Sequence, residues 1–399
     1  MHSTLLAFDI GTSGLKASLV DENLNIIRNV TTSYPTHHYP NGGCEQEAAD
    51  WWMSAVRAML MLRELVPEYA DEFSATQYEG GYTLLQIGEA QYVLCPRGEQ
   101  TPTGLPQGAA VIETPIENAY LTATSAMDYF ISLDSLNALA FSGTNADGWY
   151  LPEARQALQT GAIAYAGKYS APDYEMLLQG GCGVSIQSTM ILHSPDVKEQ
   201  LERLGIPVLV ERSSYESDPL ARMEWIKVYG LLLDKLPQAE AIFAQKVAEL
   251  QPVLQQPAAG GTAAFFYITS SGAVNVRRPN DYIARMIGMA GGEYLAPDDG
   301  AETARSTETI QMEQFYETAH DADYLIYNST IDGEVHTVQE LLQKSSVLAD
   351  FAAVKAGRVY CTSKNFFQEP MSMADFLLDV HTMLTDPDFT AGKYLYKLS

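Results

Sequence analysis

Short apolar segments alternate with helical segments along most of the chain. Buried strands are predicted at ALAFSG, AIAYAG, GVSIQST and PVLVERS, and helical stretches such as PDVKEQLERLG separate them. An alternating order of this kind predicts a mostly parallel sheet covered by helices. The same order starts again at AAFFYIT and continues through DYIARMIGMAGG, DADYLIYN and RVYCT. The pattern therefore predicts two separate α/β lobes.

A longer helix is predicted between the two lobes. Apolar residues recur there at helical spacing, at Ala239, Ile242, Phe243, Val247 and Leu250. Pro237 precedes them and suits a first helical turn, where its missing N–H is not needed. We therefore predict an α/β fold in which a rigid helix at 237–252 joins a lobe at 63–236 to a lobe at 253–399. Because ligands bind outside the carboxyl ends of parallel strands, two facing lobes would form a ligand cleft.

The first sixty residues follow a different pattern. Strands are predicted at TLLAFDI and LKASLVD around the turn GTSG, and a helix is predicted in EAADWWMSAVRAMLMLRELV with Asp50 as its N-cap. We therefore place a β-hairpin-plus-helix appendage at residues 1–62. Short strands of an edge hairpin follow in FSATQYEGGYTLLQIGEAQYVLCPRG, and Ser125 is then predicted to cap the helix SAMDYFISLDSL.

The charge balance excludes several classes of partner. The chain has 24 Lys and Arg residues against 50 Asp and Glu residues, a formal net charge of −26. Such a surface repels phosphate backbones and anionic lipid headgroups, so we expect no nucleic-acid or membrane-surface binding. The four cysteines are far apart without a CxxC pair, which predicts neither a disulfide framework nor a zinc site. We expect a monomer without a cofactor.

Four stretches of the chain together carry a family resemblance. In chain order they are YAGKYSAPDYEMLLQGGCGVSIQST, LGIPVLVERSSYESDPLARMEWIKVYGLLLDKLPQAEAIF, AAFFYITSSGAVNVRRPNDYIARMIGMAGGEYL and TIQMEQFYETAHDADYLIYNST. From about residue 65 onward, the chain resembles the periplasmic binding proteins that deliver iron-siderophore, haem or cobalamin-like ligands to ABC importers. The resemblance implies two Rossmann-like lobes joined by one helix. It also implies a metal chelate and an ABC permease as partners, and no enzymatic activity.

The first and last of these stretches mirror each other, and each contains a glutamate at the corresponding place near the start of its helix. Glu175 in PDYEMLL and Glu313 in QMEQFYETA match the positions at which the family docks onto arginines of the permease. Exposed carboxylates suit reversible docking, because complementary charge raises the association rate without deep burial. The alternative is that both are ordinary solvated helix carboxylates.

Aromatic and cationic residues that follow predicted strands are the candidates for the ligand cleft. Such residues suit a large, flat, anionic chelate. In the first lobe they are Trp149, Tyr150, Lys168, Tyr169, Arg212 and Tyr215. In the second lobe they are Arg277, Arg278, Tyr327, Asn328, Phe366 and Phe367. The alternative for each aromatic residue is that it packs in the core. The alternative for the arginines is that they pair with acidic neighbours at the surface.

Direct metal binding is the competing hypothesis within this class. Members that bind zinc or manganese use clusters of histidines with carboxylates. None of the histidines in the two-lobed part forms a close pair, and His193 alone follows a strand. We therefore predict a chelated metal or a corrinoid as the ligand rather than a bare ion.

The N-terminal residues carry a second resemblance. AFDIGTSGLKASLVDENLNII and YPTHHYPNGGCEQEAADWW resemble the start of an FGGY carbohydrate kinase, in particular a xylulokinase. The resemblance implies that the DIGTSG turn approaches ATP phosphates, with Gly11 allowing close backbone approach, hydroxyls from Thr12 and Ser13, and Asp9 near the metal. A kinase also needs a catalytic base and a second nucleotide-binding lobe, and neither motif follows. Sugar phosphorylation is therefore the alternative function, carried by this segment alone.

The start of the chain also bears on where the protein is expected. MHSTLLAFDIGTSG has no basic start, long apolar run or small-residue cleavage site, so it does not resemble a signal peptide. The family works outside the cytoplasmic membrane, whereas this chain as written is expected to stay in the cytoplasm.

Overall fold

Two units make up the structure, which is a computed structural model that describes residues 5–20, 26–39, 41–61, 64–102, 104–297 and 306–399. Unit 1 comprises Met1–Pro67 and Phe73–Pro115, and unit 2 comprises Glu68–Glu72 and Ile116–Ser399. This division differs from the predicted one, in which a single lobe begins at residue 63. The predicted boundary between 62 and 63 lies outside the described residues, so the domain bounds stay predictions.

Unit 1 begins with an antiparallel sheet and a helix. The sheet has the order β1 (Leu5–Ile10), β2 (Gly14–Val20) and β3 (Ile26–Ser33), as the hairpin pattern predicts. The short strands β4 (His37–His38) and β5 (Cys44–Glu45) precede helix α1 (Ala48–Met61). A small core joins the helix to the sheet and contains Leu15, Ala17, Val30, Tyr34 and Ala58. The prediction of Asp50 as the N-cap is wrong, because the helix already begins at Ala48.

A five-stranded sheet completes unit 1. Its strands are β6 (Glu64–Leu65), β7 (Phe73–Gln77), β8 (Thr83–Ile87), β9 (Ala90–Pro96) and β10 (Ala110–Thr114). The strands lie in the order β10-β9-β8-β7-β6, antiparallel except for the parallel pair β9 and β10. The predicted short strands are therefore present, although their contacts group them with the N-terminal residues.

The first lobe of unit 2 is built on a five-stranded parallel sheet. Its strands β11 (Ala119–Leu121), β12 (Leu139–Ser142), β13 (Ala164–Tyr165), β16 (Ser185–Ser188) and β17 (Val208–Glu211) lie in the order β13-β12-β11-β16-β17. The hairpin β14 (Gly167–Lys168) and β15 (Ala171–Pro172) follows β13. The helices are α2 (Met127–Ser132), α3 (Pro152–Thr160), α4 (Tyr174–Gln179), α5 (Pro195–Arg203), α6 (Pro219–Glu224) and α7 (Ile226–Leu232). Ser125 does not cap α2, because it lies in a 3-10 turn that ends at Ala126.

A 19-residue helix, α8 (Leu236–Leu254), leads from the first lobe to the second. Pro237 lies in its first turn, and the observed bounds exceed the predicted 237–252 by one residue at the start and two at the end. The helix packs closely on α7. The approach is so close that a Cβ atom on Gly230 of α7 would lie only 2.7 Å from the Cβ of Ala239. Glycine at position 230 therefore permits this approach.

The second lobe contains a separate mixed sheet. Its strands are β18 (Thr262–Ile268), β19 (Val274–Arg277), β20 (Glu293–Tyr294), β21 (Thr307–Ile310), β22 (Tyr324–Tyr327), β23 (Val359–Thr362) and β24 (Leu395–Lys397). The order is β21-β19-β18-β22-β23-β24, with β20 also paired to β18. The helices are α9 (Tyr282–Met289), α10 (Met312–Ala319), α11 (Ser329–Asp332), α12 (Val338–Lys344), α13 (Ala352–Lys355) and α14 (Met373–Thr385). Two separate sheets confirm the predicted two-lobed α/β class.

Two buried glutamates tie residues 68–72 to the first lobe. The carboxylate of Glu224 accepts hydrogen bonds from the backbone N–H groups of Glu68, Tyr69 and Ala70, at 2.8–3.0 Å. It also forms an ion pair with Lys227. The carboxylate of Glu216 accepts from the N–H groups of Asp71 and Glu72 and from Trp225 Nε1. Because a buried carboxylate is costly unless its oxygens are satisfied, these bonds explain why the segment groups with unit 2.

Replacing Glu224 by alanine is expected to reduce the free energy of unfolding by about 3 kcal/mol or more, because three backbone N–H groups and Lys227 lose their acceptor. Urea denaturation followed by circular dichroism measures the change. Glu202→Ala is the control, since Glu202 pairs with Lys198 at the surface and should contribute about 0.5 kcal/mol or less. Equal effects of the two variants would contradict the assignment.

Candidate functional site

A cavity of about 520 Å³ lies where residues after β17 meet residues around the start of α9. The first lobe contributes the segment after the carboxyl end of β17, and the second lobe contributes the turn before α9 and the start of β21. The lining residues are Ser214, Tyr215, Glu216, Ser217, Arg222, Asn280, Asp281, Tyr282, Ser306 and Thr307. The cavity therefore lies between the two lobes of unit 2, as the fold class predicts.

A second cavity of about 270 Å³ shares part of this lining. Its walls come from the carboxyl ends of β11, β17 and β19 and from the residues before α14. The lining residues are Thr124, Ser125, Ser213, Ser214, Arg222, Arg277, Tyr282, Ser306, Phe367, Pro370 and Met373. Four residues line both cavities: Ser214, Arg222, Tyr282 and Ser306. We treat the two cavities as one site, the inter-lobe cleft.

Arg222 is the central cation of the inter-lobe cleft. Its guanidinium lies 3.6 Å from the centre of the Tyr282 ring, so a side chain of the first lobe stacks on one of the second. Its Nε donates to the carbonyl of Glu216 at 2.9 Å, and its Nη2 donates to the carbonyl of Ser214 at 2.6 Å. Two carbonyls and one ring therefore hold the guanidinium in place.

Arg277 is the second cation of the cleft. Its Nη1 lies 3.6 Å from Oδ2 of Asp281, and its guanidinium lies 4.9 Å from the Phe367 ring centre. Asp281 also caps α9 by accepting a hydrogen bond from Ile283 N. Burial raises the pKa of Asp281, and the nearby Arg277 guanidinium opposes that rise. The Asp281 carboxylate is thus engaged by both a cation and a helix N-terminus.

Glu216 is the other carboxylate of the cleft lining, and its oxygens are also engaged. They accept two backbone hydrogen bonds and one from Trp225 Nε1 at 2.9 Å. Burial raises the pKa of Glu216, while these hydrogen bonds act in the opposite direction. Both carboxylates of the cleft lining therefore already have hydrogen-bond or ion-pair partners within the protein.

Polar contacts cross between the lobes beside the cleft. The side chain of Gln368 accepts from Tyr150 N at 2.8 Å and donates to the carbonyl of Gly148 at 2.9 Å. Arg285 of α9 forms an ion pair with Asp218 at 2.7 Å. These contacts set the separation of the lobes in this structure.

The sequence profile described as periplasmic binding protein matches residues 122–365. This range is more than half of the 399 residues. The chain belongs to the periplasmic binding protein family. The match starts in the loop after β11 and ends in the loop after β23, so it spans both lobes and the connecting helix of unit 2.

The chain is also similar to individual proteins. An uncharacterized lipoprotein of Methanocaldococcus jannaschii is 26% identical over 253 residues, which are 61% of this chain and 58% of the relative. A periplasmic heme binding protein from Pseudomonas aeruginosa has a TM-score of 0.55 at 17% identity, with 71% of this chain and 98% of that chain covered. A periplasmic catecholate-siderophore binding protein from Vibrio cholerae has a TM-score of 0.52 at 15% identity, with 66% and 92% covered. The chain thus spans little more than half the length of the curated relative, and the structural likeness establishes the fold.

The structure of this periplasmic binding protein family member brings few of the predicted ligand residues into the cleft. Tyr215 and Arg277 line it, as does Phe367. Two further predicted cations have carboxylate partners: Arg212 pairs with Glu72 at 2.6 Å, and Arg278 with Glu308 at 3.2 Å. Tyr150 lies beside Gln368, whereas Lys168 and Tyr169 lie in the β14–β15 hairpin and line neither cavity. Asn328 is buried and caps α11.

Three predicted ligand-facing residues belong to the core, and their assignment is corrected. Trp149 is 1% exposed, and its Nε1 donates to the carbonyl of Thr144. Tyr327 is 0% exposed, and its hydroxyl donates to Asp332. Phe366 is 1% exposed and packs against aromatic neighbours. Their side chains offer no surface to a ligand, because tertiary packing covers them.

Sequence reasoning missed Arg222 and Tyr282. Arg222 lies in helix α6, in which its neighbours Leu220, Ala221 and Met223 are buried. A charged residue among buried neighbours is the signal that could have identified it, because an arginine is rarely placed there without a partner. Tyr282 is the first residue of α9. Its part in the cleft follows only from its contact with Arg222, which is distant along the chain.

The two predicted docking glutamates occupy matching places in the two lobes. Glu175 lies in the first turn of α4, which leads to β16, and Glu313 lies in the first turn of α10, which leads to β22. Both are exposed, and the residue two positions later, Leu177 or Phe315, is buried. The glutamates therefore stand on the outer side of helices that are anchored to their sheets.

The remaining predicted sites are the candidate metal ligand His193 and the kinase-like turn of unit 1. His193 is exposed, and no group of three or more His, Cys, Asp or Glu residues in the described parts of the chain could hold a metal ion. Asp9 and the turn Gly11, Thr12 and Ser13 are exposed in unit 1. Among the helices in the described ranges, none is long and apolar enough to cross a membrane.

The predicted kinase turn has a structural explanation for one of its glycines. A Cβ atom on Gly14 would lie 2.6 Å from the carbonyl oxygen of Thr32 in the paired strand β3. The carbonyl of Thr12 accepts hydrogen bonds from Thr36 Oγ1 at 2.9 Å and from Gln46 Nε2. Local packing therefore accounts for glycine at position 14, whatever the turn binds.

Asp128 gives the contact between the lobes a pH dependence. Its carboxylate accepts a hydrogen bond from Met371 N at 2.8 Å, across the lobes. Burial raises the pKa of Asp128 to about 7, with Glu369 adding to the rise and the Met371 hydrogen bond, Lys393 and Lys246 opposing it. Because the pKa is higher in the folded state, the stability that this group contributes is complete below its unfolded pKa, about 4. It is lost as the pH rises through about 7.

Asp128→Asn removes this ionisation and keeps an acceptor for Met371 N. The variant is expected to gain stability relative to the wild type between pH 5 and pH 8, on the order of 1–3 kcal/mol. Urea denaturation at four pH values measures the difference. Asp196→Asn, at an exposed position in the first turn of α5, is the control. Parallel pH profiles for wild type and Asp128→Asn would contradict the prediction.

Proposed function

We propose that this chain is the solute-binding component of an ABC importer, which captures a metal chelate in the inter-lobe cleft and delivers it to a permease. The observation that carries the proposal is the cleft itself, a polar cavity of about 520 Å³ that opens between two family-type lobes at the carboxyl ends of strands. Two structural neighbours, a heme binding protein and a catecholate-siderophore binding protein, support a chelate as the ligand. No covalent step is needed for this function.

The lobes support a mechanism with small opening motions. One helix, α8, connects them, and a single packed helix bends less than several crossing strands. The contacts of Gln368 and Arg285 across the lobes then define the closed separation. Ligand contacts made by both lobes would favour this separation over wider ones, because a ligand shifts a conformational equilibrium by its differential affinity.

Glu175 and Glu313 are proposed to dock onto arginines of the permease. The support is their exposure and their matching places on α4 and α10. One carboxylate on each lobe would let the permease sense the separation of the lobes. Charge complementarity at an exposed surface favours rapid and reversible association.

The first sixty residues are proposed to descend from the start of an FGGY kinase without kinase activity. The support is the DIGTSG turn between two antiparallel strands, followed by a helix. The proposal predicts no xylulose-dependent ATP turnover by the purified chain in a coupled spectrophotometric assay. Turnover that is lost in Asp9→Ala would contradict it.

Binding of a chelate is expected to raise the melting temperature of the purified full chain. A ligand at a hundred times its Kd stabilises the folded state by about 2.7 kcal/mol. The panel comprises ferric citrate, ferrioxamine B, a ferric catecholate, haem and cobalamin. The control for each is either the free metal ion or the same compound without its metal. A folded protein that none of the five stabilises, and whose tryptophan fluorescence none changes, would overturn the proposed function.

Reversing both docking charges, in Glu175→Lys with Glu313→Lys, is expected to weaken binding to the cognate permease in nanodiscs by at least about tenfold. Affinity for the chelate should be unchanged, because both side chains are exposed on helices and line neither cavity. Glu153→Lys with Glu317→Lys is the matched control, at exposed positions on α3 and α10. Permease binding that is equal in the two double variants would show that the charges at 175 and 313 have no special role.

A further inference from the structure

The guanidinium of Arg222 has unused hydrogen-bond donors in a fixed position. An arginine side chain carries five N–H donors. Two of these are used, by the carbonyls of Glu216 and Ser214. Among the described residues, no carboxylate forms an ion pair with Arg222, in contrast to Arg212, Arg277 and Arg285.

The unused donors belong to a residue that lines the inter-lobe cleft. Arg222 contributes to the walls of both cavities. The Tyr282 ring covers one face of the guanidinium at 3.6 Å, and the backbone carbonyls hold its plane. A guanidinium fixed in this way loses little conformational entropy when it binds a planar anion, which it can contact through two parallel N–H groups.

Hydroxyl side chains surround Arg222 in the cleft, and the carboxylates of the lining are already engaged. Hydroxyl groups of Ser214 and Ser306 line both cavities with it, and those of Thr124 and Thr307 each line one. The carboxylates of the lining accept hydrogen bonds from backbone N–H groups instead. Neither of these carboxylates therefore takes up the unused donors of Arg222, in a chain whose net charge is −26.

The chain's overall charge makes this local arrangement decisive for specificity. An anion that approaches a strongly acidic protein is repelled, and physiological salt screens this repulsion beyond about 8 Å. Affinity for an anion must then come from fixed donors at short range. A ligand that places no oxygen acceptors at this position would leave the Arg222 donors without partners and would still have to desolvate them, which costs affinity.

We propose that Arg222 is the anchor of the cleft for a carboxylate group, so that the ligand of this protein is a chelate that carries free carboxylates. This inference rests on the proposed function and narrows its ligand class. The carboxylate could belong to a carboxylate-type ferric siderophore or to the propionates of haem, and both present the same planar oxygen pair to the guanidinium.

The test compares ligands that differ in their carboxylates. The probes are ferric citrate, haem, haem dimethyl ester and ferrioxamine B, titrated into the full chain and followed by tryptophan fluorescence and calorimetry. Ferric citrate, haem or both should bind, and haem dimethyl ester should bind at least about tenfold more weakly than haem if haem is the ligand. Which of the two carboxylate probes binds more tightly distinguishes the two sources.

Variants of Arg222 test the anchor itself. Arg222→Gln is expected to weaken binding of the carboxylate probe by about ten- to a hundredfold, and Arg222→Lys by less, because lysine keeps the charge and loses the paired donors. Arg203→Gln is the control, since Arg203 pairs with Glu199 at the surface and should bind as the wild type does. Thermal denaturation without ligand checks that each variant is folded. The ligand comparison does not depend on that result.

Each outcome decides between the two claims. If carboxylate probes bind and require Arg222, the inference stands. If ferrioxamine B or the dimethyl ester binds as tightly as the carboxylate probes, or Arg222→Gln binds like the wild type, the inference is overturned while the proposed function stands. If none of the probes and no chelate of the wider panel binds, both the inference and the proposed function are overturned.

Discussion

The satisfaction of two buried carboxylates holds the functional part of this molecule together. Glu216 precedes Arg222 in the sequence and Glu224 follows it, and both glutamates are buried. Their oxygens are occupied by backbone N–H groups of residues 68–72 and by Trp225 and Lys227. An unsatisfied carboxylate would be too costly to bury there. The bonds therefore fix the backbone that presents Arg222 to the cleft.

The cleft depends on both lobes at the level of single side chains. Arg222 comes from α6 of the first lobe, while the ring that covers it, Tyr282, comes from α9 of the second. The same two helices are joined by the ion pair of Arg285 with Asp218. A change in the separation of the lobes would therefore alter the environment of the guanidinium. The contacts that join the lobes and those that hold Arg222 in the cleft therefore involve the same two helices.

The periodicity of the sequence was sufficient to predict the two lobes and the helix between them. Strand and helix patterns are local, and α8 differs from its predicted bounds by one or two residues at each end. The antiparallel strands of the second sheet and the pairing of β9 with β10 were not predicted, because pairing joins residues that are distant along the chain. Helix starts were also missed at Asp50 and Ser125, since neighbouring residues compete for the N-cap position.

By itself the sequence determined the fold class, the acidic surface and the family, because these depend on local periodicity, composition and short motifs. Only the tertiary structure decided which side chains reach the cleft. Trp149 and Tyr327 have the chemistry of ligand contacts but are covered by the core, whereas Arg222 comes from a mostly buried helix and lines the cleft. Exposure is set by packing between segments far apart in the chain, and no local pattern encodes that packing.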